Sequence, residues 1–105
     1  MTNHSMDYLS KDINIDQHVL HLAGLFRELT SDELKCLYLL ACGMQRFEIA
    51  EYIDVKPSYV KTRIESMFIK FGINNSDSLR AIYISRVQTD MYVMLKSMMS
   101  GVSIL

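Results

Sequence analysis

An all-α fold follows from three observations on these 105 residues. Apolar side chains recur in steps of three and four along most of the chain. No stretch alternates apolar and polar residues as a half-buried strand does, and the breaks between apolar runs fall at residues that start or stop helices. A composition that is 50% hydrophobic, with one proline and four glycines, suits a single domain with a modest core and excludes disorder.

The first element lies in "NIDQHVLHLAGLFREL", where Ile15, Val19, Leu22, Phe26 and Leu29 alternate steps of four and three. That spacing predicts a helix with a narrow seam, packed onto the domain or into a short coiled coil. "LTSDEL" predicts the next start: Thr30 caps, Glu33 reaches back to its amide, and Leu29 and Leu34 flank the cap as a hydrophobic staple. This helix runs through "DELKCLYLLAC" to Gly43, a residue suited to the left-handed position just past a helix end. "RFEIAEYI" predicts a short helix with Ile49, Ala50 and Ile53 inward, and "DVK" predicts the turn after it. Pro57 then suits a first helical turn, where its missing N–H costs nothing.

The helix over 57–71 ends at Gly72 and places Val60, Ile64, Met67, Phe68 and Phe71 on one stripe. Ser58, Thr62, Glu65 and Ser66 lie opposite, with Tyr59, Lys61 and Arg63 towards the edges. Ser76 is the expected cap of a last helix from Asp77 to about Met99, with Gly101 after it. A short helix, a tight turn and a longer helix with a hydroxyl-rich, basic outer face form a helix-turn-helix layout, whose second helix can lie in a DNA major groove.

The net charge of −1 is low for a nucleic-acid binder, but its distribution is uneven. Residues 1–28 hold four acidic and two basic side chains, and residues 29–86 hold seven acidic and eight basic. Within 56–71, Lys56, Lys61, Arg63 and Lys70 face Glu65 alone. Cys36 and Cys42, six apart, form neither a metal pair nor a disulfide framework and read as buried reduced thiols. The apolar runs are too short to span a bilayer, and "MTNHSMDYLSKD" lacks a signal-peptide layout, so the expected setting is cytoplasmic with no membrane partner. His18 and His21 have metal-like spacing but no third ligand. Tyr8, Asp12 and Asp16 make no catalytic pairing, and no phosphate loop or nucleophile-base set occurs. The expectation is a non-enzyme with no cofactor and no metal.

Residues 29–86 resemble the LuxR-type (GerE-type) DNA-binding domain of bacterial regulators. The family pattern runs roughly LT-x-x-E-x-x-x-L-x-L-L-A-x-G, then E-I-A, then V-K, then an end like K-L-G-V. This chain carries Leu29, Thr30, Glu33, Leu37, Leu39, Leu40, Ala41 and Gly43, then Glu48, Ile49, Ala50 and Val55. It continues with Val60, Lys61, Lys70, Phe71, Gly72 and Ile73. The resemblance implies a four-helix helix-turn-helix domain whose third helix (57–71) reads DNA and whose fourth commonly forms a dimer contact. An extra N-terminal helix (1–28) and a lengthened last helix (87–105) would be additions. Lys56 stands where the family usually has Ser or Thr, Tyr59 replaces Thr, Arg63 replaces His, and Phe47 replaces a phosphate-contacting Lys. Asp54 replaces the usual turn glycine, and Asp tolerates positive φ better than most residues. These departures imply altered base preference or weakened DNA binding.

On this register Lys61 and Arg63 are the main DNA candidates. Lys61 is expected at the backbone, while Arg63 offers guanine a bidentate fork; both are expected to be exposed. Arg46, Lys56, Ser58 and Thr62 fit phosphate positioning, and Tyr59 fits a base or backbone contact. "VQTDMYVMLKSMMSGVSIL" holds four of the eight methionines. Its apolar residues, Met91, Tyr92, Val93, Met94, Leu95, Met98 and Met99, cover more than one helical face. Packing on the N-terminal seam would account for half of them, and the rest predicts a dimer or partner contact. The expected contact residues are Leu79, Tyr83, Val87, Met91, Met94, Leu95 and Met98. Two readings follow: a homodimeric transcription regulator on double-stranded DNA, or a regulator that keeps the fold and binds a second regulatory protein through its Met-rich helix.

Overall fold

The computed structural model describes residues 15–104. Among the described residues there are five α-helices, one 3-10 turn and no strand. The helices are α1 (Ile15–Leu22), α2 (Ser31–Ala41), α3 (Arg46–Tyr52), α4 (Pro57–Phe71) and α5 (Ser76–Ile104), and the 3-10 turn is Ala23–Leu25. Residues 1–14 of the expected N-terminal extension, with Tyr8 and Asp12, lie outside the described residues, as do Leu105 and the side chain of His18.

α2 is the centre of the packing: α1, α3, α4 and α5 all lie against it. It can serve four neighbours because Leu34, Cys36, Leu37, Tyr38, Leu39 and Leu40 are buried on nearly every side. Its start is the capping box expected from "LTSDEL": the Thr30 amide donates to Glu33 Oε1 at 2.8 Å and the Glu33 amide donates to Thr30 Oγ1 at 3.2 Å. Three helices end the same way. Gly43, Asp54 and Gly72 have φ of 101°, 59° and 66°. In each case the next residue, Met44, Val55 or Ile73, turns its amide back to Leu39, Ala50 or Phe68. These are left-handed caps that satisfy the last carbonyls and tuck an apolar residue under the helix end. Asp54 therefore does the work of a turn glycine.

Three local expectations need correction. The N-terminal helix stops at Leu22; Phe26, with φ of −134°, leaves the helix. Val19, Leu22 and Phe26 are nonetheless buried, and Ile15 and Leu29 pack against the core. A 3-10 turn followed by a loop keeps the same seam inward, which apolar spacing alone does not distinguish from a continuous helix. The cap of α5 is Asn75, not Ser76: Asn75 Oδ1 accepts from the Ser78 amide at 2.8 Å, and Ser76 is the first helical residue. Cys36 is buried, and burial pushes its thiol up to about 11, but Cys42 is exposed. Six residues separate them by about 120° round a helix, so one core face does not hold both.

The two additions differ in how they are held. The N-terminal segment is bolted down by Arg86 on α5. Its guanidinium donates to the Leu25 carbonyl at 2.8 Å and, bidentately, to Glu28 at 2.8 Å, between the rings of Phe26 and Phe71. Glu28 is held down to about 2 by those hydrogen bonds from Arg86. The far end of α5 is instead exposed to solvent. Every residue from Met91 to Ser100 is exposed, so the expected packing of half of these apolar side chains on the N-terminal seam does not bury them. Among the described residues no helix is long and apolar enough to cross a membrane.

Candidate nucleic-acid interface

α3, the left-handed turn at Asp54 and α4 form a helix-turn-helix unit in the general sense, packed on α2 by Ile49, Ala50, Val60, Ile64 and Met67, all buried. Gln45 caps α3, its amide donating to Glu48 Oε1 at 2.8 Å; the Q-x-x-E spacing carries this signal in the sequence. α4 begins at Pro57, and Lys56 at its N-cap position makes no side-chain cap, leaving the positive end of the backbone dipole open to an anion.

The surroundings of α4 sort its outer residues into two groups. Counted at about 100° per residue, Tyr59, Arg63, Ser66 and Lys70 form the flank towards α2. Each has a partner there or on its own helix. Ser66 Oγ and Lys70 Nζ each donate to the Glu33 carboxylate at 2.6 Å. Burial and a hydrogen bond to Asp32 raise the Tyr59 hydroxyl, and the Arg63 guanidinium lies 4.6 Å over the Tyr59 ring. Glu33 would be raised by its own burial, but bonds from Lys70, Ser66 and the Thr30 amide outweigh that and leave it lowered. Ser66, expected on the solvent stripe, is therefore half-buried, and the charge of Lys70 is neutralised. Arg63, expected to be exposed, is half-buried; its Nε is buried and has no hydrogen-bond partner among the described residues.

The second group is free of α2. Lys56, Ser58, Lys61 and Thr62 are exposed, and Arg46, half-buried, stands at the start of α3. Thr62 Oγ1 donates back to the Ser58 carbonyl at 2.9 Å, which fixes its rotamer and leaves its lone pairs outward. This cluster offers ammonium, guanidinium and hydroxyl donors at the first two turns of α4, the chemistry that phosphate oxygens and base edges accept. Exposed Glu51 and Asp54 lie in the same unit and limit its positive field. Two exposed apolar residues complete the outer surface: Phe47, 61% exposed, and Ile69, 82% exposed. The helical count places Ile69 beside Thr62 and Glu65, a signal present in the sequence that the core stripe alone does not reveal.

The expected dimer contacts are also divided. Leu79 is fully buried in the chain's own core and offers nothing to a partner. Tyr83 stacks on Phe26 with centroids 5.8 Å apart, and Val87 is half-buried against the core. The N-terminal segment therefore occupies the near face of α5, while Met91, Met94, Leu95 and Met98 remain bare. Among the described residues no group of three His, Cys, Asp or Glu is placed to hold a metal, and His21 is exposed. Comparison with protein-family models, with curated proteins and with solved structures finds no match.

Proposed function

We propose that this chain is a DNA-binding transcription regulator of the LuxR (GerE) type, in which the start of α4 enters the major groove and two copies engage a two-fold site. The observation that carries the reading is the composition of α4's outer surface. Lys61, Ser58 and Thr62 stand in solvent with Lys56 beside them, and Ile69 is the one large hydrophobic of α4 left strongly exposed. In this reading Lys56, Lys61 and Arg46 neutralise phosphates, and Ser58 and Thr62 approach the backbone or base edges. Arg63 and Tyr59 act first as a braced pair that fixes the entry angle of α4, with Arg63 reaching bases only from the rim. The reading assigns no enzymatic step and no cofactor, and its setting is the cytoplasm.

One observation favours a second reading, a regulator that acts by binding another regulatory protein: the uncovered Met-rich end of α5. The two are separated by incubating the purified full chain with labelled duplexes from its own gene neighbourhood. The DNA reading expects a specific, salt-sensitive complex that survives excess scrambled duplex. No complex at any salt would overturn it and leave the protein-binding reading.

A further inference from the structure

The methionines of the described residues fall into two environments. Met44 and Met67 are buried in the core, whereas Met91, Met94, Met98 and Met99 are each more than half exposed. These four stand within the span 91–99 of α5, and none of them packs against the core. Their thioethers are therefore open to small solutes over two turns of helix. The two thiols, ordinarily the sulfurs that react first with an oxidant, compete poorly here, because the thiolate is their reactive form. Burial pushes Cys36 up to about 11. Desolvation also raises Cys42, outweighing its hydrogen bond with Tyr38. A thioether has no proton to lose, so its reaction needs access alone.

We propose that the Met-rich half of α5 is a reversible oxidation site, at which a peroxide converts Met91, Met94, Met98 and Met99 to sulfoxides and erases an exposed apolar surface. In each step the sulfur attacks one oxygen of hydrogen peroxide and gives up two electrons. An S–O bond forms and the O–O bond breaks. The proton on the transferred oxygen passes to the departing hydroxide, which leaves as water. Methionine sulfoxide reductases reverse the step by oxidising a dithiol, the oxygen again leaving as water. The product side chain is polar, and it stands where contact with an apolar partner needs a thioether or a methyl. Met44 and Met67 stay enclosed, so the body keeps its fold while the far half of α5 changes character. The site depends on neither reading of the function, since it is set by the chain's own exposure.

Peptide mass spectrometry of the full chain, after graded exposure to hydrogen peroxide at neutral pH, tests it. Each of the four exposed methionines should gain one oxygen roughly tenfold or more faster than Met44 and Met67. The thermal melt at low protein concentration should hold, while retention on a hydrophobic-interaction column should fall. Treatment with reductases for both sulfoxide epimers should restore that retention. A variant with Met91, Met94, Met98 and Met99 all changed to Leu should keep its retention under the same peroxide. Equal rates at the buried methionines, oxidation of Cys42 ahead of the four, or a lowered melt would each overturn the proposal. So would retention that peroxide leaves unchanged, or that falls equally in the leucine variant.

Discussion

α4 and α5 are the two long helices of this molecule, and they expose opposite kinds of surface. α4 turns Val60, Ile64 and Met67 fully inward, spends one flank on α2, and leaves a small outer face of lysine and hydroxyls at its start. α5 buries its near half and then runs on for a dozen residues with its methionines in water. The first surface is suited to a charged partner, held by interactions that salt weakens; the second is suited to an apolar one, held by burial that salt does not weaken. One small chain therefore presents two surfaces whose partners should respond to ionic strength in different ways.

The sharpest contrast lies within α5 itself. Leu79→Ala should cost roughly 2–5 kcal/mol of folding stability, because it opens a cavity in a filled core, whereas Met98→Ala should shift it by about 0.5 kcal/mol or less in the isolated chain. Thermal melts at low concentration measure both, and equal losses would mean that the far end packs on the body. A smaller effect is expected at the clasp joining the N-terminal segment to α5. The Glu28 carboxyl is lowered from 4.5 to about 2 in the folded chain, chiefly by its bonds from Arg86. Its stabilisation is therefore complete above about pH 4.5 and lost as pH falls towards 2. Because the pair is partly exposed, water holds that contribution to about 1 kcal/mol. Melts of wild type and Glu28→Gln should differ at pH 6 and converge near pH 2; a constant difference would show that the clasp acts by packing alone. At the start of α5, Asn75→Ala should cost about 1 kcal/mol and Ser76→Ala only a few tenths, a ranking that chemical denaturation can read.

What the sequence disclosed was local. The T-x-x-E capping box, Pro57 at the start of α4, and Gly43 and Gly72 at helix ends are each decided within four residues, and each stands in the structure as expected. Asp54 in the turn is the same kind of success. The misreadings involve partners far along the chain or two neighbours competing for one role. Ser66 and Lys70 find Glu33 across 33 and 37 residues, and Arg86 finds Glu28 across 58. No periodicity announces such pairs, so on spacing alone Lys70 reads as free charge of the candidate interface and Ser66 as part of its solvent face. Arg63 departs from its expected exposure because an edge position on a helix is also the position from which a long side chain reaches a neighbour. Ser76 and Asn75 both suit a cap, and only the geometry of the turn chooses between them.

Lys61 gives the central claim its most direct test. It is exposed and has no hydrogen bond or ion pair among the described residues, so Lys61→Ala should melt as wild type does, and any change in DNA binding then belongs to the interface. The measurement is fluorescence anisotropy of wild type and Lys61→Ala on specific and scrambled duplexes across a salt series. If α4 lies at the DNA, the variant should bind every duplex more weakly, and the slope of log affinity against log salt should fall by about one unit, as for one lost phosphate contact. An unchanged slope and affinity, in a variant that melts normally, would contradict the placement of this helix in the groove.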